Sequence, residues 1–208
     1  LSLFITFVLM LQGGYGSFGK ALLDSVFQVV SFISTTGFGN ADNALWPVLA
    51  NVFLLLAAFH CGCSGSTTGG IKADRMLIIF KEIGNEFRRR LHPSSVFCTK
   101  VDGHTVSNDQ VSAVFLYFVA YVFILFMSFM AVLMSGVEIS DAFSGTLASL
   151  GNVGPGLGSL GTMGNYASQP VFAKIVYTAL MFLGRLEIFP VLAVLHLISD
   201  FRKNSSGR

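Results

Sequence analysis

The feature that most constrains this chain is a charge-free stretch, residues 111–135, with the sequence VSAVFLYFVAYVFILFMSFMAVLMS. At about 1.5 Å per residue, a helix of this length exceeds the roughly 30 Å thickness of a bilayer's hydrocarbon core. The composition agrees, because 53% of the 208 residues are hydrophobic and only 12% are charged, against about 25% charged in soluble domains. The chain is therefore predicted to be an all-α membrane protein in contact with a lipid bilayer.

Two further apolar stretches, residues 45–59 and 171–183, are short for a membrane span, and each runs into an interruption. The first is followed by CGCSGSTTGGIK and the second by GRLEIFP. Irregular backbone at membrane depth persists only where protein or a water-filled cavity satisfies its polar groups. We therefore interpret both stretches as broken membrane helices that line a permeation path.

Basic residues set the expected orientation. One group lies between the first broken helix and the long span, and a second lies at the C-terminus, so the positive-inside rule places both in the cytoplasm. Between residues 93 and 108, VFCTKVDGHTV carries a hairpin signal at its Asp-Gly pair, although a plain loop is the alternative. The basic residues are Lys72, Arg75, Lys81, Arg88, Arg89, Arg90 and Lys100 in the first group and Arg202, Lys203 and Arg208 in the second.

The chain contains an internal repeat. DSVFQVVSFISTTGFG, residues 24–39, superposes without a gap on DAFSGTLASLGNVGPG, residues 141–156. Each copy is followed by a polar stretch and then by a broken apolar helix, so both copies have parallel topology. The aligned pairs are Asp24 with Asp141, Thr35 with Asn152, Thr36 with Val153, Gly37 with Gly154 and Gly39 with Gly156.

The acids of the repeat indicate short half-helices. Asp24 in one copy, and Ser140 or Asp141 in the other, stand where N-caps and first-turn acids belong, which predicts about ten helical residues before the glycine-rich turn. The negative end of each helix dipole would then point toward the membrane midplane and favour a cation. A turn rich in glycine can direct backbone carbonyls at a dehydrated potassium ion.

Four motifs, STTGFG, GSTTGGIK, GNVGPG and GRLEIFP, resemble in order and spacing the third and fourth repeats of the Trk-type potassium uptake proteins, relatives of the Ktr and Hkt transporters. The resemblance implies a pseudo-fourfold potassium pore in the plasma (inner) membrane, built from four parallel repeats of helix, pore half-helix, filter loop and broken helix. It also implies a homodimer regulated by a cytoplasmic nucleotide-binding ring subunit. Two repeats are present here, so an N-terminal half is expected to be missing, or two halves must associate.

Residue roles follow from the same resemblance. It implies a selectivity filter, an intramembrane loop below it (residues 62–71) that obstructs the closed path, and a basic residue that narrows that path. Potassium is the only metal expected, and it is the transported ion, with no cofactor. The filter residues are Thr35, Thr36, Gly37, Asn152, Val153 and Gly154; the gating residues are Gly65, Gly69, Gly70, Lys72 and Arg185; and Glu187 is a candidate for a salt bridge between repeats. Lys72 could instead be a lysine that snorkels at a helix end, and Arg185 could instead be a structural arginine.

Four segments follow: a repeat at 1–92 whose first helix is truncated, a cytoplasmic linker at 93–108, a second repeat at 109–200 and a basic cytoplasmic tail at 201–208. The potassium channel signature TVGYG is absent, and the two filter segments share only their glycines. We therefore expect weaker discrimination against sodium than in a potassium channel.

Other functions fit less well. GSTTGGIK lacks the Lys that a P-loop needs directly after its second Gly, and the G-x-G-x-x-G at residues 156–161 follows a half-helix rather than a strand, so no enzyme is predicted. The net charge of +2 gives no sign of a nucleic-acid partner. The three cysteines, Cys61, Cys63 and Cys98, are expected to be small buried thiols. The remaining alternative is a secondary transporter with a broken-helix substrate site, coupled to sodium or protons, but such folds often carry inverted rather than parallel repeats.

Overall fold

The computed structural model describes residues 1–12, 14–62, 65–66, 68–92, 97–101 and 103–186. This part of the chain is mostly helical, as expected, and contains seven α-helices. They are α1 (Ser2–Leu11), α2 (Phe18–Ile33), α3 (Val48–Phe59), α4 (Ala73–Leu91), α5 (Asn108–Leu133), α6 (Ile139–Leu150) and α7 (Val171–Arg185), with short 3-10 turns at Asn43–Leu45 and Gly158–Leu160.

Helix α5 covers the stretch predicted to span the membrane. It runs for 26 residues, and among the described helices it alone is both long and apolar enough to cross a membrane. A capping box starts it: the Ser107 hydroxyl accepts from the backbone N–H of Gln110, and the Gln110 side chain accepts from the backbone N–H of Ser107. These bonds satisfy N–H groups that lack partners within the helix, so the span begins at a defined residue.

The half-helix prediction is correct for one copy of the repeat and wrong for the other. Helix α6 has 12 residues and carries Asp141 in its first turn. Helix α2 has 16 residues and begins after Ser17, which places Asp24 in its interior. Nothing in the sequence FGKALL breaks a helix, and the buried Asp24 carboxylate finds a tertiary partner instead, accepting a hydrogen bond of 2.7 Å from Asn40 Nδ2.

The first apolar stretch forms a helix that ends at the predicted interruption. Helix α3 begins three residues later than the apolar stretch, after Pro47, and ends at Phe59. Strands β1 (His60–Cys61) and β2 (Ile71–Lys72) then pair in parallel, with His60 opposite Ile71. This pairing brings the two ends of the intervening loop together, directly before α4. The second interruption begins where α7 ends, and residues 187–190 of GRLEIFP lie outside the described residues.

The linker forms the hairpin rather than a plain loop. Strands β3 (Lys100–Val101) and β4 (His104–Thr105) pair antiparallel. Side chains attach this ribbon to α4: Glu82 accepts a hydrogen bond from the Thr99 hydroxyl, and Arg89 donates to the Phe97 carbonyl at 3.1 Å. Cys98 is exposed beside the ribbon, so the expectation of a buried thiol is wrong there, and the neighbouring Thr99 is the residue that is buried.

The core joins the two copies of the repeat. Phe32, Leu54 and Ala58, from α2 and α3, pack in one buried cluster that also contains Val153, which follows α6. A second cluster joins β2, α5, α6 and α7 through Ile71, Tyr121, Leu150 and Leu180, among others. The end of α6 therefore packs against both halves of the described chain, which holds the turn after it in place.

Candidate functional site

Two glycine-containing turns follow the C-terminal ends of α2 and α6. We call residues 35–37 turn A and residues 152–154 turn B. In turn A the backbone N–H of Thr36 donates to Ser31 at 3.0 Å, and in turn B the N–H of Val153 donates to Ala148 at 2.9 Å. Because these residues occupy aligned positions, the two copies of the repeat close their helices with the same hydrogen bond.

The two turns also share their backbone dihedrals. In turn A, φ is 54° at Thr35 and 76° at Gly37; in turn B it is 55° at Asn152 and 100° at Gly154. Positive φ is thus found at the first and third residue of each turn and not at the second. When φ alternates between positive and negative values, successive peptide groups point toward the same side of the chain instead of opposite sides. The arrangement suits a row of carbonyls that faces a common ligand.

Thr35 is the strained member of the set. A β-branched residue with positive φ is a genuine outlier, whereas asparagine, its counterpart at position 152, tolerates this conformation. The left-handed conformation costs an ordinary L-residue roughly 1–2 kcal/mol. Strain of this kind persists where the surrounding structure imposes it and is concentrated at functional sites.

We therefore expect Thr35→Asn to raise the free energy of unfolding by about 1 kcal/mol, because asparagine loses less in the left-handed region. Thermal unfolding of the purified complete protein measures the change. Thr36→Asn is the matched control, since Thr36 is adjacent and exposed but has no positive φ. Equal effects of the two substitutions would show that backbone strain at Thr35 is not the cause.

Carbonyl oxygens of the two turns are available to a ligand. Among the described residues, none donates a hydrogen bond to five of the six carbonyls of turns A and B. The exception is Gly154, whose oxygen accepts a bond of 2.8 Å from the Tyr166 hydroxyl. Unpaired backbone carbonyls are uncommon in folded proteins, and each is a strong acceptor. The five are those of Thr35, Thr36, Gly37, Asn152 and Val153.

The two turns lie side by side. A Cβ placed on Gly37 would overlap the carbonyl oxygen of Val153 and lie 3.2 Å from Cδ of Pro155. Only a residue without a side chain allows turn A to approach turn B this closely. The sequence repeat predicts that these turns are equivalent, and the structure brings them together.

Beyond the turns, two polar residues join the following loops, and sequence reasoning missed both. Asn43 is fully buried; its Oδ1 accepts from the Thr162 N–H at 2.9 Å and its Nδ2 donates to the Gly156 carbonyl at 3.2 Å. The Thr162 hydroxyl donates to the Ala41 carbonyl at 2.6 Å. Neither residue belongs to a motif, so only the position of Asn43 two residues before the apolar stretch 45–59 could have drawn attention to it.

The loop between β1 and β2, which the family resemblance places within the membrane as an expectation, lies against the base of turn B. Gly69 is buried, and a Cβ placed on it would come within 2.5 Å of the Gly151 carbonyl oxygen. Gly70 has a φ of 68°, and its carbonyl accepts a bond of 3.3 Å from the Tyr117 hydroxyl of α5. Gly65, in contrast, is exposed, with open space around it.

Charged residues near the site come from the ends of α4 and α7. Lys72 is half-buried at the start of α4, and the guanidinium of Arg75 stacks 3.9 Å from the centre of the Tyr117 ring. Arg185 is exposed at the end of α7, next to Gly184, where a Cβ would overlap the Leu150 carbonyl at the end of α6. The other predicted residue, Glu187, lies outside the described residues.

In the interior of α2 and in the first turn of α6, an acid holds the loop that follows the turn. Asp24 accepts from Asn40, and Asp141, at the aligned position, accepts from the Ser159 hydroxyl. In the described ranges no group of three or more His, Cys, Asp or Glu side chains could hold a metal ion. What the site offers a ligand is therefore backbone oxygen and two helix C-termini, a combination that favours a cation.

Comparison with known proteins agrees with this chemistry. The family model described as "TrkH: Cation transport protein" matches residues 6–204. The chain is 38% identical over 189 residues to the Trk system potassium uptake protein TrkH of Salmonella typhimurium, covering 91% of this chain and 39% of that protein. It is 37% identical, with the same coverage, to TrkH of Escherichia coli. The chain thus spans about two fifths of the length of these relatives.

The fold is also that of a solved structure. The crystal structure of the potassium transporter TrkH from Vibrio parahaemolyticus matches with a TM-score of 0.85 and 35% sequence identity, over 94% of this chain and 41% of that one. The resemblance carried by the four sequence motifs is confirmed. On the family match, the sequence identity and the structural likeness together, this chain belongs to the TrkH family of cation transport proteins.

Proposed function

We propose that the complete protein conducts potassium across the plasma (inner) membrane through a filter of backbone carbonyls, of which this chain supplies two segments, turns A and B. The observation that carries the proposal is the pair of adjacent turns with the same positive-φ pattern and five carbonyls without a described donor. The relatives support it, since they are named as potassium uptake proteins.

In this proposal Thr35, Thr36 and Gly37 form one quarter of the filter, and Asn152, Val153 and Gly154 form another. Carbonyl oxygens replace the water shell of the ion, and the C-terminal ends of α2 and α6 add negative potential. Because the side chains of the two segments differ, the filter is less symmetric than four identical TVGYG segments. Discrimination against sodium is accordingly weaker than in a potassium channel.

The intramembrane loop acts as the obstruction below the filter. Support comes from the close packing of Gly69 against Gly151, directly beneath turn B, and from the parallel strands that close the loop. Gly65 and Gly70 have positive φ and give the loop backbone conformations that other residues rarely adopt. Arg185 narrows the same path, and Lys72 repels cations at its inner mouth.

The proposed assembly has four repeats around one pore. Residues 1–92 and 109–200 supply two of them in parallel, and an N-terminal half of the same polypeptide supplies the others. The 93–108 linker and the 201–208 tail lie in the cytoplasm. Basic residues Arg88, Arg89 and Arg90 in the last turn of α4 support this orientation. The protein works as a homodimer with a cytoplasmic nucleotide-binding ring subunit, and Glu187 pairs between repeats.

Rubidium uptake by liposomes that carry the complete protein tests the proposal. We expect rubidium uptake that excess potassium blocks and that the same concentration of sodium blocks only weakly. The reason is that rubidium and potassium, which are larger than sodium, fit the same carbonyl sites. Protein-free liposomes are the control. Uptake blocked equally by sodium would contradict a potassium filter, and uptake that requires an imposed sodium or proton gradient would favour the alternative, a coupled secondary transporter.

A further inference from the structure

A pair of tyrosines lies behind turn B. Tyr166, in the loop after the Gly158–Leu160 turn, packs edge-to-face on Tyr177 of α7, with ring centres 5.2 Å apart. Tyr177 in turn lies against α6, where its hydroxyl comes within 2.9 Å of the position a Cβ on Gly145 would take. The lack of a side chain at Gly145 therefore makes room for the pair, and α6 and α7 together fix the Tyr166 ring.

The Tyr166 hydroxyl reaches the backbone of turn B itself. It donates to the Gly154 carbonyl at 2.8 Å, a normal hydrogen-bond length. A carbonyl oxygen has two lone pairs, so this bond uses one and leaves the other for a ligand. The bond also fixes the direction of the Gly154 carbonyl. Gly154 has a φ of 100° and open space around the position of a Cβ, so without this bond its peptide group could rotate more freely.

Turn A is held differently. There the Ser31 hydroxyl of α2 donates to the carbonyl of Phe38, one residue beyond the turn, at 2.7 Å. The Gly37 carbonyl, which corresponds to that of Gly154, accepts no bond from any residue in the described ranges. The two segments thus differ in which carbonyl the surrounding protein restrains.

We propose that Tyr166 is a positioning residue of the filter: its hydroxyl holds the Gly154 carbonyl and thereby sets how strongly turn B favours potassium over sodium. The inference rests on the filter function proposed above. Sodium is the smaller ion, and carbonyls that can move inward bind it better than carbonyls held apart. A restrained Gly154 carbonyl keeps the site at the size of the larger ion.

The tyrosine is a donor at every physiological pH. Burial, with a further contribution from the Asp141 carboxylate, raises the pKa of Tyr166 to about 12. The hydroxyl therefore keeps its proton and can donate to the Gly154 carbonyl.

Tyr166→Phe in the complete protein tests the proposal, because it removes the hydroxyl and keeps the ring pair. We expect the ratio of potassium to sodium permeability, measured in proteoliposomes, to fall about threefold or more, the factor that loss of one neutral hydrogen bond supports. Tyr177→Phe is the matched control, since the Tyr177 hydroxyl is buried and has no hydrogen-bond partner among the described residues. Its ratio should stay as in the wild type.

Two outcomes overturn the proposal: an unchanged ratio in Tyr166→Phe, or equal falls in Tyr166→Phe and Tyr177→Phe, which would assign the effect to ring packing. If the phenylalanine variant does not assemble, 4-fluorophenylalanine at position 166 keeps the size of the side chain and removes the donor, and an unchanged ratio there also overturns the proposal. Gly37→Ala, measured in parallel, distinguishes failure of the filter proposal from failure of the Tyr166 proposal. If it lowers the ratio and Tyr166→Phe does not, the filter stands and only the role of Tyr166 fails.

Discussion

Gly37→Ala in the complete protein is expected to lower the ratio of potassium to sodium permeability tenfold or more. The added Cβ would overlap the Val153 carbonyl oxygen and crowd Cδ of Pro155. The contact is with backbone, so no side-chain rotation relieves it, and turn A must move away from turn B. Since discrimination between ions that differ mainly in size depends on the positions of the carbonyls, displacement of both turns removes it.

Gly154→Ala provides a graded comparison. It shares the unfavourable positive φ, which costs roughly 1–2 kcal/mol, but its Cβ would meet nothing within 4 Å. We expect a smaller loss of selectivity than at Gly37. Reconstitution of both variants, with ion permeabilities from reversal potentials or tracer flux, measures the difference.

Gly16→Ala is the control for the glycine series, because Gly16 lies in the loop before α2, has no positive φ and has open space around it. Its selectivity should match that of the wild type. Wild-type selectivity in both Gly37→Ala and Gly154→Ala would contradict the assignment of turns A and B to the filter. A larger effect at Gly154 than at Gly37 would show that the close approach of the two turns is not what matters.

The second large effect is expected in the intramembrane loop. Shortening the loop between Gly65 and Gly70 should raise potassium flux severalfold, because the segment packed against Gly151 would no longer lie beneath turn B. Arg185→Ala should also raise flux if the guanidinium narrows the same path. Tracer uptake at equal amounts of reconstituted protein measures both changes.

Single glycine substitutions refine this prediction. Gly69→Ala places a Cβ within 2.5 Å of the Gly151 oxygen and should displace the loop from its contact with Gly151. The Cβ of Gly65→Ala would meet nothing within 4 Å. We expect higher flux from the first and little change from the second, although Gly65 also has positive φ. Flux that is reduced or unchanged in the shortened loop and in Arg185→Ala would leave both segments with a structural role only.

Features that depend on local sequence were predictable. The charge-free run predicts α5, because a long uninterrupted apolar stretch without helix breakers has the length of a membrane span. The Asp-Gly pair between β-prone residues indicated the β3–β4 ribbon, and the polar CGCSGSTTGGIK indicated the break after α3. The repeat predicts that turns A and B are equivalent, since it aligns residues 24–39 with residues 141–156 of the same chain.

Features that depend on distant partners were not predictable. Asp24 looks like a helix cap by its neighbours, yet its partner, Asn40, lies 16 residues away and makes it an interior residue of α2. Positive φ at Thr35 contradicts the preference of a β-branched residue and exists because packing imposes it. No local pattern marks Tyr166 as the donor to Gly154.

By itself, then, the sequence determined the class of protein, the long span, the repeat and the two glycine turns, because hydrophobicity, charge and turn chemistry act over a few residues. Only the tertiary structure decided that Gly37 lies against Val153, that Asn43 joins the two following loops, and that turns A and B are restrained at different carbonyls. Apart from the Ser31–Phe38 bond, these contacts join residues 12 to 119 positions apart. They arise from how the helices pack, which short-range patterns do not encode.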